Sequence, residues 1–268
     1  MRMKKSAISI LRVLSAFYVI AMCILFGAQR HMLYPGWGHP FPDYQPDPDV
    51  EQIWIDTDEG KVPALFLPAS TKRAPLVVYT HGNGSIAELE VADTRGWQQM
   101  GYSVLIPEYR GYGKAAGSPT QDAIVADTLR MIEVVCARKT VDCRTTVYHG
   151  RSLGGGVAAA LAEKRPPKGL ILESTFTSIR AFAADFYAPG FVVRDGWDTV
   201  DFLPTFDAPV LILHGDVDNI VPLDHSRQNE AVAMHATRHV LPGHHILAAN
   251  AAYWKTVKDW TTQSGLPN

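Results

Sequence analysis

The sequence predicts an α/β fold, with a mostly parallel sheet covered by helices on both faces and one N-terminal transmembrane helix ahead of it. Three observations predict this. Short apolar runs alternate with helix-like segments from about Glu51 to the C-terminus. A glycine-rich loop, Gly150-Arg151-Ser152-Leu153-Gly154, joins an apolar run to an alanine-rich segment. An uncharged stretch from Val13 to Gln29 follows Arg2, Lys4, Lys5 and Arg12. Continuous apolar strands between helices are the mark of a parallel sheet buried on both faces.

The N-terminal stretch comes first. Ile8, Ile10 and Leu11 extend it to a helix long enough to cross a bilayer, which takes roughly 20 mostly apolar residues, and Arg12 can snorkel to the headgroups. A cleaved signal peptide is the alternative, but Phe26-Gly27-Ala28 sets a bulky residue in the cleavage pattern and Met22 before Cys23 is too large for lipoprotein processing. An uncleaved signal anchor over 1–30 is therefore expected. The excess of positive charge ahead of the span places the N-terminus in the cytoplasm and the rest of the chain outside, in a periplasmic or extracytoplasmic space. Residues 31–50 carry Pro35, Pro40, Pro42, Pro46 and Pro48, and read as an extended linker.

The remaining domain, 51–268, opens with two alternating runs, Glu51–Asp56 and Lys61–Leu67, around a Thr57-Asp58-Glu59-Gly60 turn, which read as a hairpin. Strands are expected at Leu76–Tyr79, Tyr102–Pro107, Thr145–His149, Gly169–Glu173, Pro209–His214 and Arg238–Leu241. Helices are expected at about Ile86–Met100, Gln121–Ala137, Leu153–Lys164, Asp224–His235 and Ala249–Thr262. Hydrophobic residues make up 47% of the 268 and charged residues 19%, which is globular composition. Lys+Arg number 25 against Asp+Glu 27, with no basic stripe, so no nucleic-acid partner is expected. Cys136 and Cys143 could form a disulfide if the domain is exported; the alternative is two reduced thiols near a helix end.

Parallel sheets bind ligands beyond the C-terminal ends of their strands. The loops that follow strands therefore hold the candidate chemistry. Gly150–Gly154 has the strand–turn–helix context of a G-x-S-x-G nucleophile elbow, with Ser152 as nucleophile. Its competitor is a glycine-rich helix entry with a capping serine. The glycines do not fit a dinucleotide fingerprint, and no cofactor is expected. A serine hydroxyl needs a base to take its proton, so a carboxylate and a histidine should follow on later strand ends. His214-Gly215-Asp216-Val217-Asp218 and Pro242-Gly243-His244-His245 supply them in that chain order. His235 and His239 straddle a helix end and a strand, so no metal site is expected there.

Four segments resemble the α/β-hydrolase superfamily, and in particular its membrane-anchored, serine-peptidase-like esterase branch. They are Thr80-His81-Gly82-Asn83-Gly84, Glu108-Tyr109-Arg110-Gly111-Tyr112-Gly113, the Ser152 elbow and the segment His214–Pro222. The resemblance implies an α/β-hydrolase fold with a small cap at about 176–208. It implies Asp218 as triad acid, with Asp216 a turn residue, and His245 as base in preference to His244. It also implies an oxyanion hole from the backbone N–H groups of Asn83 and Leu153, and structural support from the Tyr109–Gly113 loop.

The expected activity is ester or thioester hydrolysis through an acyl-enzyme on Ser152. A serine aminopeptidase-like amide hydrolase and a non-catalytic binding protein on the same fold are the alternatives. Phe182, Phe186, Tyr187, Phe191, Trp197, Phe202 and Phe206 in the cap could line an acyl pocket or form the cap's own core. With the anchor they suit a small-molecule or lipid acyl ester at a membrane surface.

Overall fold

A computed structural model describes residues 2–42, 44, 47–185 and 187–267, with side chains from residue 8 onward except at 185. Pro46 and Phe186 of the sequence reading lie outside these. The first element is one long helix, Arg2–Leu33 (α1), whose stretch Ile8–Leu33 has the length and composition to cross a membrane. Its apolar side chains face outward: Leu11, Phe17 and Ile24 are each about two-thirds exposed.

Eight strands form one sheet in the order β1-β2-β4-β3-β5-β6-β7-β8. They are Glu51–Thr57 (β1), Gly60–Leu67 (β2), Ala74–Thr80 (β3), Ser103–Pro107 (β4), Val141–Arg151 (β5), Gly169–Glu173 (β6), Val210–Gly215 (β7) and Ala236–Leu241 (β8). β1 and β2 make the expected antiparallel hairpin, and β2 runs antiparallel to β4. The other pairings are parallel. Side chains alternate across a strand. On β3 this sends Leu76 and Val78 to one apolar cluster and Val77 and Tyr79 to the other.

Helices cover both clusters. Gln121–Cys136 (α3) and Leu153–Lys164 (α4) pack on the first face, through Ile124, Met131 and Val157. Val91–Gln99 (α2) and Ala251–Gln263 (α8) pack on the second, through Trp97, Tyr253 and Trp260. Two of these helix entries are capped by a side chain. The Thr120 hydroxyl accepts from Ala123 N–H at the start of α3, and the Asn250 side chain accepts from Ala252 and Tyr253 N–H at the start of α8. Two shorter helices, Ile179–Asp185 (α5) and Thr199–Phe202 (α6), sit in the cap region, and Asp224–Val232 (α7) lies between β7 and β8. Cys136 and Cys143 are joined by a disulfide across the turn from α3 into β5.

The cap aromatics split three ways. Trp197 and Phe206 are core, Phe176 and Phe182 line a cavity, and Tyr187 and Phe191 stand 86% and 87% exposed. The proline-rich segment after α1 is tied down where it is described. Tyr34 is buried and accepts from Trp197 Nε1–H, and Gly38 N–H donates to Gly111 O.

Candidate active site

Ser152 occupies the turn between β5 and α4. Its backbone lies at φ 55°, ψ −118°, a left-handed conformation that a non-glycine residue adopts only when its surroundings impose it. Those surroundings are backbone hydrogen bonds from Ser152 N–H to Glu173 O and from Gly155 N–H to Ser152 O, at 2.8 and 2.9 Å. Glycine is required on both sides. A Cβ at Gly150 would strike the backbone of Gly154, and one at Gly154 would strike Thr80 O and His81 O. Gly154→Ala is therefore expected to cost about 1–3 kcal/mol or more of stability, since backbone cannot move aside as a side chain can. Thermal denaturation of the full chain measures this, and an unchanged midpoint would show that the turn has slack.

Three strand-end loops converge on this serine. His245, in the loop after β8, reaches Ser152 Oγ with Nε2 at 2.9 Å and Asp218 Oδ2 with Nδ1 at 2.8 Å. A carboxylate only accepts, so Nδ1 carries the proton toward Asp218 and Nε2 is free to accept from the serine hydroxyl. The other oxygen of Asp218 accepts from the N–H groups of Ile220 and Val221, at 2.8 and 2.9 Å. The Asp218 side chain is fully buried, and the His245 side chain is 17% exposed. His244 is exposed, and the bonds to Ser152 and Asp218 come from its neighbour. Asp216 accepts from Gly243 N–H at 2.9 Å and so braces the loop that carries both histidines.

Behind Asp218 stands a residue that the sequence reading gave no role. His214, at the end of β7, is buried and donates from Nε2 to Val221 O at 2.9 Å, with Asp218 Oδ2 3.3 Å away. Burial depresses its pKa and keeps the ring neutral, against the smaller upward pull of Val221 O and Asp218.

The loop after β3 lies opposite. Asn83 and Leu153 border the same cavity as Ser152. Asn83 is held from three directions. Tyr112 Oη–H and Gly36 N–H donate to its carbonyl, and its own amide donates to Leu33 O at the end of α1. His81 braces this loop from beneath. It is fully buried, with Nδ1 on Gly82 O at 2.8 Å and Nε2 on Glu108 Oε1 at 2.9 Å. Burial pulls its pKa down, but the Glu108 carboxylate outweighs that and holds it above the ordinary histidine value. Glu108 also accepts from Ala87 and Tyr109 N–H, and Tyr109 Oη–H donates to His81 O. The Tyr109–Gly113 loop thus acts as scaffold for the loop that carries Asn83.

Arg151 points to the other side of the turn, into a buried network with no signal in the linear sequence. Its guanidinium donates to Glu173, Glu90 and Asp93 at 2.8, 2.9 and 3.0 Å. Glu173 also accepts from Tyr253 Oη–H and His149 Nε2–H, while Trp97 Nε1–H donates to His149 Nδ1. Burial raises the Glu173 pKa, but Arg151 and His149 more than reverse this and bring it down to about 2. Elsewhere, His235 pairs with Asp207 and His239 lies on β8, so the two do not share a site.

The cavity beside Ser152 measures about 290 Å³. Phe176, Ile179, Phe182, Val192 and Val193 wall it from the cap side, and Leu25, Gln29, Met32 and Leu33 of α1 from the other. From the sequence only the cap aromatics are expected to line an acyl pocket, so the wall from α1 is an addition that the fold supplies.

The comparisons with known proteins agree with this architecture. The chain is 31% identical over 274 residues to the α/β hydrolase domain-containing protein WAV2 of Arabidopsis thaliana, covering 89% of each chain. The chain belongs to the α/β-hydrolase superfamily. A family model described as serine aminopeptidase, S33, matches residues 71–194. Lysophosphatidylserine lipase ABHD12 of Rattus norvegicus is 29% identical over 202 residues, 67% of this chain and 50% of that protein. Among solved structures, an esterase of Pyrococcus furiosus superposes with a TM-score of 0.67 at 15% identity, covering 84% of this chain and 96% of that one. Est1E of Butyrivibrio proteoclasticus with ferulic acid superposes at 0.66 and 21% identity, covering 79% and 98%. At these identities the solved structures speak for the fold alone. Together the hydrolase relatives support a hydrolase.

Proposed function

We propose that this α/β hydrolase is a serine ester or thioester hydrolase anchored in a membrane by α1, with its catalytic domain on the extracytoplasmic side. The observation that carries the reading is the unbroken hydrogen-bonded line Asp218–His245–Ser152 beside an apolar cavity. In this reading His245 takes the Ser152 proton as Oγ attacks the acyl carbonyl. Asp218 holds the ring in the required tautomer and stabilises the imidazolium. The backbone N–H groups of Asn83 and Leu153 bind the oxyanion, and the second sits at the N-terminus of α4, where negative charge is favoured. His245 then protonates the leaving alcohol or thiol, and water activated by the same ring releases the acid.

An ester is favoured over an aminopeptidase substrate because none of the described residues bordering the cavity is acidic, so nothing there would hold a substrate ammonium group. The Cys136–Cys143 disulfide and the basic flank before the span support an exported domain. The test is labelling of the full chain with a fluorophosphonate, run beside ester and amide turnover. Labelling of the wild type, its loss in Ser152→Ala, and ester without amide turnover are expected. Undiminished labelling of Ser152→Ala would remove the nucleophile from this reading.

A further inference from the structure

We infer that the acyl ester attacked at Ser152 reaches it laterally from the bilayer, along a wall formed by the last two turns of α1, with the tip of the cap inserted into the hydrocarbon. The inference rests on the reading above that Ser152 attacks an acyl ester. It adds where that ester comes from and which residues admit it.

The starting point is depth along α1. A helix rises 1.5 Å per residue, so Ile8–Leu33, 26 residues, spans roughly 39 Å, more than the roughly 30 Å of a hydrocarbon core. The cap is docked along α1 from Tyr18 to Arg30. Tyr18 Oη–H donates to Tyr187 O at 3.0 Å, Gln29 bonds both Val192 O and Arg194 N–H, and Arg30 pairs with Asp195 at 2.8 Å. Tyr18 lies only about 15 Å from Ile8 along the helix axis. If α1 spans the bilayer, Tyr18 is inside the hydrocarbon, and Tyr187 beside it is inside as well.

The side chains around the contact match that depth. Tyr187 and Phe191, at the cap tip, are the most exposed large hydrophobic residues among those described. Twelve residues beyond Tyr18, about 18 Å higher, come the charged groups Arg30 and Asp195, with Arg194 over the Phe26 ring, at the level where headgroups begin. Leu25, Gln29 and Met32 border the Ser152 cavity at this same level. The mouth of the site thus lies where a membrane lipid carries its ester, at the boundary between acyl chains and headgroups. At about 290 Å³ the cavity sits at the low end of ligand pockets, which suits one acyl chain and not two. The Asn83–Leu33 bond ties the end of the same helix to the loop that would hold the oxyanion.

The test uses the full chain reconstituted in phosphatidylcholine vesicles, with 4-nitrophenyl palmitate in the bilayer and 4-nitrophenyl acetate in the water. Met32→Trp narrows the cavity from the α1 side, and because Met32 is 65% exposed the change does not disturb the core. The ratio of palmitate to acetate kcat/KM is expected to fall at least tenfold. An unchanged ratio would overturn the inference while leaving the hydrolase reading intact. A second arm is independent of turnover. Vesicles carrying a phosphatidylcholine with a diazirine in its acyl chain are irradiated and the labelled residues mapped. Labelling at Met32, Val193 and Phe191 is expected, and labelling absent from both 25–33 and 187–193 overturns the inference. A wild type that turns over neither ester and takes no fluorophosphonate would instead sink the hydrolase reading, with the photolabelling arm still deciding the route.

Discussion

His245→Ala is expected to reduce ester turnover by on the order of 10⁴–10⁶-fold, to about the level of Ser152→Ala, because members of such a unit fail together and not additively. His244→Ala should leave most of the activity. The two side chains are neighbours in one loop, but Nε2 of His245 is 2.9 Å from Ser152 Oγ and His244 faces solvent. Asp218→Asn should cost about 10⁴-fold by favouring the wrong tautomer of His245. The Asn amide would also face the Ile220 and Val221 N–H groups or His245, and donors cannot satisfy donors. Single-turnover kinetics on a 4-nitrophenyl ester, with the circular dichroism of each variant as a control for folding, measure all three. Loss in His244→Ala with retention in His245→Ala would reverse the assignment of the base.

The contrast between these histidines shows what a sequence can convey. Ser152, Asp218 and His245 are legible because each lies just after a strand, in a glycine-bearing loop, and the sheet brings strand ends together whatever their separation along the chain. Asn83 is singled out by the resemblance, and it borders the same cavity as Ser152. The choice between His244 and His245 is finer. It depends on the path of Gly243, which adopts φ +154° and is fixed by Asp216, a residue 27 positions earlier. The two-way reading of the cap aromatics dissolves similarly, since burial of Trp197 and exposure of Phe191 are set by what packs against each.

Two features have no linear signature. Helix α1 reads from its composition as an anchor, and its length exceeds what a span needs. Only the docking of residues 187–195 along it shows what the extra turns contact. Arg151 occupies the variable position of G-x-S-x-G, where any side chain satisfies the motif. Its partners Glu90, Asp93 and Glu173 come from a helix entry and the neighbouring strand, and no period in the sequence relates them.

Arg151→Met is expected to lower the stability of the folded domain by roughly 3–5 kcal/mol, the usual cost of breaking a buried ion pair from one side. The side chain is well matched in length, so lost packing contributes little. What is lost is the guanidinium that pairs with both Glu173, which is fully buried, and Glu90, which is nearly so. The pH dependence separates this from a packing defect. In the wild type Glu173 titrates below its ordinary 4.5, near 2. A carboxylate with a lowered folded pKa stabilises the fold above its unfolded value and loses that contribution as pH falls through the folded one. Wild-type stability from this group should therefore hold down to about pH 4.5 and decline toward 2. In Arg151→Met the desolvated Glu173 has lost its main partner, so its pKa rises and the protonated form becomes the one that folds. The variant should gain relative stability as pH falls. Denaturation of both proteins in detergent at about pH 7 and about pH 4 should show a wide gap that narrows on acidification. A gap of equal size at both values would mean that Arg151 acts by filling space, and that the charge network beneath Ser152 does not hold the turn in place.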